Sequence, residues 1–351
     1  MYSTGFRILI AIAFGYLATQ AAQAQTVRAP ASGNVTRFIV GGIGGWDLLA
    51  VQPDKNWLFI SRSDRVQVFD TLSGKVVKEI PGTSGVHGIA LANELGLGFT
   101  SNGQSNSVTV FDLNSLNIVG EIKGMGEKPD AILYEPRSKR VFVFNGQSSN
   151  VTVIDAVTKN VVGTIALPGK PELAVSDGKG NIFVNIEDKN SIAKFDVLGT
   201  KVTAEWPLSG CKGPTGLAID ARHDRLFAVC DNRKMVVVDA NSGMIVSEVG
   251  IGERPDGAAF DSKLSLVLSS NGDGTLSVIH EESPDHYSPV ATISTQKGAR
   301  TMVLDEKTHL AYLVTSEFGP MPPTKDKQPR PRPIPIPGTF GVLAVDLAAL
   351  Q

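Results

Sequence analysis

The chain has 351 residues, of which 42% are hydrophobic and 19% charged, with a formal net charge of −2. A chain of this length buries a large core without needing a metal or disulfide to hold it. A near-neutral balance lacks the electrostatic footprint of a duplex-DNA binder. The 36 glycines and 20 prolines point to strands and turns.

The N-terminus reads as a targeting segment. Arg7 supplies the positive region, residues 8–17 (ILIAIAFGYL) an apolar stretch, and Ala22-Gln23-Ala24 a cleavage signal. The expected division is a signal peptide at 1–24, cut between Ala24 and Gln25, a linker at 25–34, and one domain at 35–351. The apolar stretch is too short to span a bilayer and no other segment approaches the required ~20 residues. A periplasmic or secreted location follows, with an uncleaved anchor as the lesser alternative.

Beyond this segment one phrase recurs. An apolar alternating run ends in Asp, then a turn leads to a β-branched run. VQVFDTLSGKVVKEI places that acid at Asp70, and later copies place it at Asp112, Asp155, Asp196 and Asp239. LSVIHEESPDHYSPVATI puts His280 in the same place. The intervals are 42, 43, 41, 43 and 41 residues. A small-residue strand (VHGIALA, RPDGAAFD) and a second apolar run (WLFIS, RVFVF) precede each copy, so every unit holds four short strands, A to D. Seven such units of four strands predict an all-β fold, a seven-bladed β-propeller of four-stranded antiparallel blades. The last unit lacks a D strand, and residues 35–40 resemble one. The N-terminal strand is therefore expected to complete that blade and close the ring.

The repeat words V-x-V-[FI]-D, [TS]-x-x-V-V and G/K-P-x-[GA]-[IL]-A resemble the YVTN-type repeat β-propellers, and more narrowly the YncE-like secreted bacterial propellers. The likeness covers roughly residues 35–346. Relatives of that kind include lactone hydrolases, quinoprotein dehydrogenases and non-enzymatic binders, so the resemblance implies a fold and leaves the activity open.

Propeller geometry puts the D-to-A and B-to-C loops on one face, around the mouth of the axial channel. Aligning the D-to-A loops gives one position per blade: Asp47, His87, Asp130, Glu172, Thr215, Asp256 and Arg300. Four carboxylates from four blades would repel one another, and a cation or raised pKa values would relieve this. A divalent cation is the one cofactor such a ring would take, on Asp47, Asp130, Glu172 and Asp256. The competing interpretation is that these acids cap turns of x-P-D-G type. The B-to-C loops add Arg62, Asn102, Asn145, Asn185, Asp231 and Asn271 to the same face, as ligand-directed amides or as Asn-Gly turn residues. Cys211 and Cys230, the only cysteines, are expected to form a disulfide between the D-to-A loop and strand B of one blade. Residues 318–338 form a Pro-rich insertion carrying Lys325, Lys327, Arg330 and Arg332. It is expected to be extended, unpaired and basic, as a lid, a strap or a surface excursion.

Three functions compete. The first is a monomeric binding module holding a small polar molecule, a cation or a protein partner at the channel mouth, through Asp47, His87, Asp130, Glu172, Asp256 and Arg300 with Asn102, Asn145 and Asn271. The second is metal-assisted hydrolysis of a lactone or ester, with His87 or a carboxylate as base. The third is single-stranded nucleic-acid binding, which needs a basic groove and stacking aromatics, where Trp46 and the basic insertion fit. No C-x-x-C-H, G-x-S-x-G, P-loop or dinucleotide fingerprint occurs.

Overall fold

The computed structural model describes residues 34–320 and 333–350. Seven four-stranded antiparallel sheets stand around a common axis. They comprise residues 49–80, 86–123, 129–166, 171–207, 214–250 and 255–294, and finally residues 302–346 together with 35–39. We number these blades one to seven. The expected signal peptide, most of the expected N-terminal linker and the basic residues of the insertion lie outside the described residues. Among the described residues no helix is long and apolar enough to cross a membrane.

The strand chemistry follows from position in the blade. B and C strands are covered on both faces by neighbouring blades, so their apolar runs are almost unbroken. Arg140–Asn145 and Leu266–Asn271 are buried at nearly every residue. Outer D strands such as Lys75–Ile80 and Asn160–Ala166 are mostly exposed and alternate weakly. Inner A strands converge on the axis and need small residues. A Cβ on Gly216 would lie 2.8 Å from the Asp256 carbonyl oxygen, and one on Gly257 would lie 2.6 Å from Ser270 Oγ.

The recurring Asp that ends the C strand in every blade but the sixth caps the turn that follows. Asp70 Oδ1 accepts from the backbone N–H groups of Leu72 (2.9 Å) and Ser73 (2.7 Å), and Asp112 and Asp155 do the same. Those donors hold all three carboxyls below their usual range.

Ring closure is as expected. Val35–Ile39 pairs antiparallel with Gly341–Asp346, in the register Val35↔Val345 to Ile39↔Gly341. The insertion departs from expectation at its base, which is paired. Gly319 N–H donates to Ile334 O (2.9 Å) and Ile336 N–H donates to Glu317 O (2.8 Å), around a bridge of Phe318 with Pro335. Proline is tolerated at this bridge because the two residues form a non-hydrogen-bonded pair, which asks for no N–H at Pro335.

Cys211 and Cys230 are joined, with Cα atoms 5.5 Å apart and a sequence separation of 19. Both are buried. Replacing both by serine should lower unfolding free energy by about 3 kcal/mol through the freed loop entropy. Urea midpoints with and without reductant check this, because reductant should shift the wild type towards the double variant.

Candidate functional site

The ring positions lie where each inner strand begins. In blades two to six the pairing of A with B slips at this point, for example between Pro129 and Ile132 and between Pro255 and Gly257. His87, Asp130, Glu172, Thr215 and Asp256 occupy these bulges. A bulge re-aims the side chain it carries. Asp47 and Arg300 precede the inner strands of blades one and seven.

Backbone at the ring is tied across blade junctions. Ser61 Oγ donates to His87 O (2.8 Å), Asn185 Nδ2 donates to Thr215 O (3.0 Å), and Thr215 Oγ1 donates to Pro255 O (3.0 Å). The hydroxyls of Ser101 and Ser270 donate to the carbonyls of Asp130 and Arg300. His87, Asp130, Thr215 and Arg300 are thus positioned by the preceding blade as well as their own.

The side chains form one electrostatic cluster. His87 Nδ1 lies 2.5 Å from Asp47 Oδ2 and 3.7 Å from Asp130 Oδ1, so three blades meet at one imidazole. The Asp47 hydrogen bond raises the His87 pKa against the opposing effect of burial. Burial raises Asp130, whose neighbour Asp47 adds repulsion while His87 opposes it. Asp256 is 16% exposed and sits 3.4 Å from Arg300 Nε. Burial pushes its pKa up to about 7, with Arg300 opposing and Asp47, Asp130 and Asp231 adding repulsion. Burial likewise pushes Glu172 up to about 8, although Lys170 Nζ stands 2.6 Å from its Oε1.

The turn-capping interpretation fails. Among the described residues none of Asp47, Asp130, Glu172 and Asp256 accepts a backbone N–H. The D-to-A loops are capped instead from the B-to-C loops. Asn106 Oδ1 accepts from Lys128 N–H (2.9 Å), Asp188 Oδ1 from Lys170 N–H (2.8 Å) and Asp273 Oδ2 from Glu253 N–H (2.7 Å). The ring carboxylates are therefore not needed to hold their own loops.

Asn102, Asn145 and Asn271 do not join the mouth, which corrects the sequence-based expectation. All three are fully buried inside their own B–C hairpins. Asn102 Nδ2 donates to Thr109 Oγ1 (2.9 Å), Asn145 Nδ2 to Thr152 Oγ1 (3.0 Å) and Asn271 Nδ2 to Ser277 Oγ (3.0 Å). Hydroxyls on the adjacent strand use up the amide donors, so none is left for a ligand. Thr215 is buried as well. Arg62 is also withdrawn. Its guanidinium carbon lies 3.6 Å from the centre of the Phe340 ring, and Nη2 donates to Ile43 O (2.9 Å).

Two members were not picked out from the sequence. Lys170 bridges Glu172 and Glu187, and Glu187 in turn raises the Asp231 carboxyl, on which burial acts first. The signal was the basic residue before each proline, in Lys128-Pro129-Asp130, Lys170-Pro171-Glu172 and Arg254-Pro255-Asp256. Lys128 and Arg254 hold left-handed backbone there, at φ 55° and 54°.

Clefts on the outer rim have a different character. One of about 240 Å³, lined by Ile251, Ser277 and Thr292, carries no titratable group.

No family model matches this chain, and no curated protein matches its sequence. Solved structures do match in shape. The WD40 repeats of RRP9 superpose with a TM-score of 0.75 at 10% identity, covering 91% of this chain and 99% of that one. The fold is a WD40-like β-propeller. U3-55K gives a TM-score of 0.74 at 10% identity, covering 91% and 100%. A Kuenenia stuttgartiensis hydrazine synthase chain gives 0.65 at 17% identity, covering 83% and 95%. At these identities the likeness concerns the fold alone.

Proposed function

We propose that this propeller is a binding module whose channel mouth holds a small polar ligand through a positive charge, either a divalent cation or an organic amine. The observation that carries this reading is the convergence of Asp47, Asp130, Glu172 and Asp256 from four blades, with no backbone N–H among the described residues to satisfy them. Partly buried carboxylates in mutual repulsion gain from a cation placed among them. Arg300 and Lys170 divide the ring, so the most anionic arc is Asp47, His87 and Asp130, whose ligand atoms lie within 4.8 Å of one another. A location outside the cytoplasm is part of the proposal. The Cys211–Cys230 disulfide supports it, as does the N-terminal pattern of Arg7, apolar run and Ala-Gln-Ala. The repeat words support a YVTN-type relationship in the same sense.

Calorimetric titration of the purified chain with Mg²⁺, Ca²⁺, Mn²⁺ and spermidine, each at pH 5.5 and pH 8, tests this. We expect saturable binding of at least one of these, at least tenfold tighter at pH 8, because Asp256 and Glu172 ionise between those values. Asp130→Asn should weaken it by at least tenfold while leaving the circular dichroism spectrum unchanged. Absence of binding by every cation at both pH values would refute the proposal.

A hydrolytic function is the second reading, favoured by the short Asp47–His87 contact. That contact orients an imidazole as a general base requires. Turnover of simple lactones lost in His87→Ala would support it. The nucleic-acid alternative draws little support, since an acidic mouth repels phosphates. Trp46 packs against Phe318 and Phe340, with ring centres 6.1 and 5.3 Å away, so its contacts are already with aromatic neighbours of this chain.

A further inference from the structure

The opposite face, formed by the A–B and C–D turns, holds a second cluster at the junction of blades five and six. Asp220 ends the inner strand of blade five, and His223 follows in the turn. Their Oδ2 and Nδ1 atoms lie 2.5 Å apart. Glu281 arrives from the C strand of blade six, with Oε1 3.6 Å from the same Nδ1. The Asp220 and Glu281 side chains are 4% and 3% exposed, and that of His223 is 36% exposed.

Glu281 is out of place. The residue after each C-strand end donates its N–H to the turn before strand B, as Leu113 does to Gly96 O, Ala156 to Lys139 O, Ala240 to Asp224 O and Leu347 to His309 O. Glu281 N–H donates to Ser265 O in the same way. In the other blades that position holds a buried apolar side chain, except in blade one, where it is the half-buried Thr71. Blade six alone puts a carboxylate there. Tyr287 hydroxyl donates to Glu281 Oε1 (3.2 Å), while buried Oε2 has no hydrogen-bond partner among the described residues. A buried carboxylate oxygen without a donor is strongly disfavoured unless something else satisfies it.

The blade six–seven junction gives an internal comparison. Asp261 of blade six and His309 of blade seven also pair Oδ2 with Nδ1, at 2.6 Å and across the junction rather than within one turn, and buried Leu347 stands where Glu281 stands in blade six. The pair alone is a structural tie. The third donor makes the other junction different. The strands carrying it are also longer, nine residues each (Thr275–Ser283 and His286–Ser294), and Arg225 of blade five holds their turn through Pro284 O and Asp285 Oδ1, both at 2.8 Å.

The geometry points to a divalent transition-metal site, of the zinc class, formed by Asp220 Oδ2, His223 Nδ1 and Glu281. The three donor atoms lie within 4.8 Å of one another. Metal–ligand bonds of about 2.0–2.2 Å place donors up to roughly 4 Å apart, so small side-chain rotations complete the set. One imidazole with two carboxylates suits Zn²⁺ better than Ca²⁺ or Mg²⁺, which take more oxygen ligands. The partly exposed His223 leaves a fourth position open towards solvent. The ion would fasten blade five to blade six on the face away from the mouth.

The test is calorimetric titration of the chelator-treated full chain with Zn²⁺ alone, at pH 7.5, for the wild type, His223→Ala, Glu281→Leu and the mouth variant His87→Ala. We expect one zinc equivalent at this junction, separate from any held at the channel mouth, that His223→Ala and Glu281→Leu both lose or weaken at least tenfold; His87→Ala, which alters only the mouth, leaves that equivalent in place. Zinc should also raise the melting temperature of the wild type and not that of His223→Ala. His223 is partly exposed, so His223→Ala keeps the test decisive if Glu281→Leu folds poorly. An unchanged isotherm in His223→Ala, an isotherm altered only by His87→Ala, or no zinc binding by the wild type would overturn the assignment.

Discussion

Replacing Phe340 by alanine should cost about 3–5 kcal/mol of unfolding free energy, the range for deleting a buried aromatic ring. Phe340 is 2% exposed and stands where three structural ties meet. Its carbonyl accepts from Val40 N–H (2.9 Å) and Gly41 N–H (2.8 Å), just past the strand that closes the ring. Its side chain touches Trp46 and covers the Arg62 guanidinium. Arg62 is fully buried, and its Nε and Nη1 have no hydrogen-bond partner among the described residues. Burial first, and Arg65 next, push its pKa down to about 10. The aromatic face is therefore a principal partner of a desolvated cation. Removing it leaves both a cavity and an uncompensated charge. Urea unfolding measures the loss, and Phe340→Leu, which retains volume but no π face, should fall between the two. A loss below about 1 kcal/mol in Phe340→Ala would contradict this role.

Replacing Asp256 by asparagine should have the opposite sign. An unfolded Asp titrates at about 3.9, whereas burial and its acidic neighbours hold the folded group at about 7. Between those values the native state binds the extra proton. Stability therefore falls as pH rises from about 4 to about 7, and the deficit persists above that. Asparagine cannot ionise and escapes this deficit. The variant should exceed the wild type by on the order of 2–4 kcal/mol at pH 8 and differ little at pH 4. The lost contact with Arg300, a half-exposed partner, offsets this by less than about 1 kcal/mol. Denaturant midpoints at the two pH values check the prediction. A variant less stable than the wild type at pH 8 would mean that Asp256 is a structural tie.

The fold could be deduced from the sequence because a repeat of 41–43 residues fixes both strand count and closure. The capping Asp at the end of the C strand marks most of the units. The ring of mouth residues could be deduced because equivalent loop positions in a propeller must meet at the axis. What could not be deduced was which polar residues are already satisfied. Asn102, Asn145 and Asn271 lie in Asn-Gly turns and look solvent-directed, yet Thr109, Thr152 and Ser277 on the adjoining strands absorb their amides. That pairing depends on cross-strand register. Glu281 was hidden for a related reason. His280, beside it, stands in place of the recurring Asp and draws notice, whereas the apolar identity of position 281 emerges only when the backbone equivalences are known.

The most direct measurement is a pH titration of the side-chain carboxyl carbons of Asp256 and Glu172 by NMR, on protein labelled at those carbons. Midpoints of about 7 and about 8 in the free chain, displaced downwards when the cation that binds the mouth is added, are the predicted result. Midpoints of about 4 for both groups, unmoved by any cation, would mean that these acids are neither desolvated nor brought together at the channel opening.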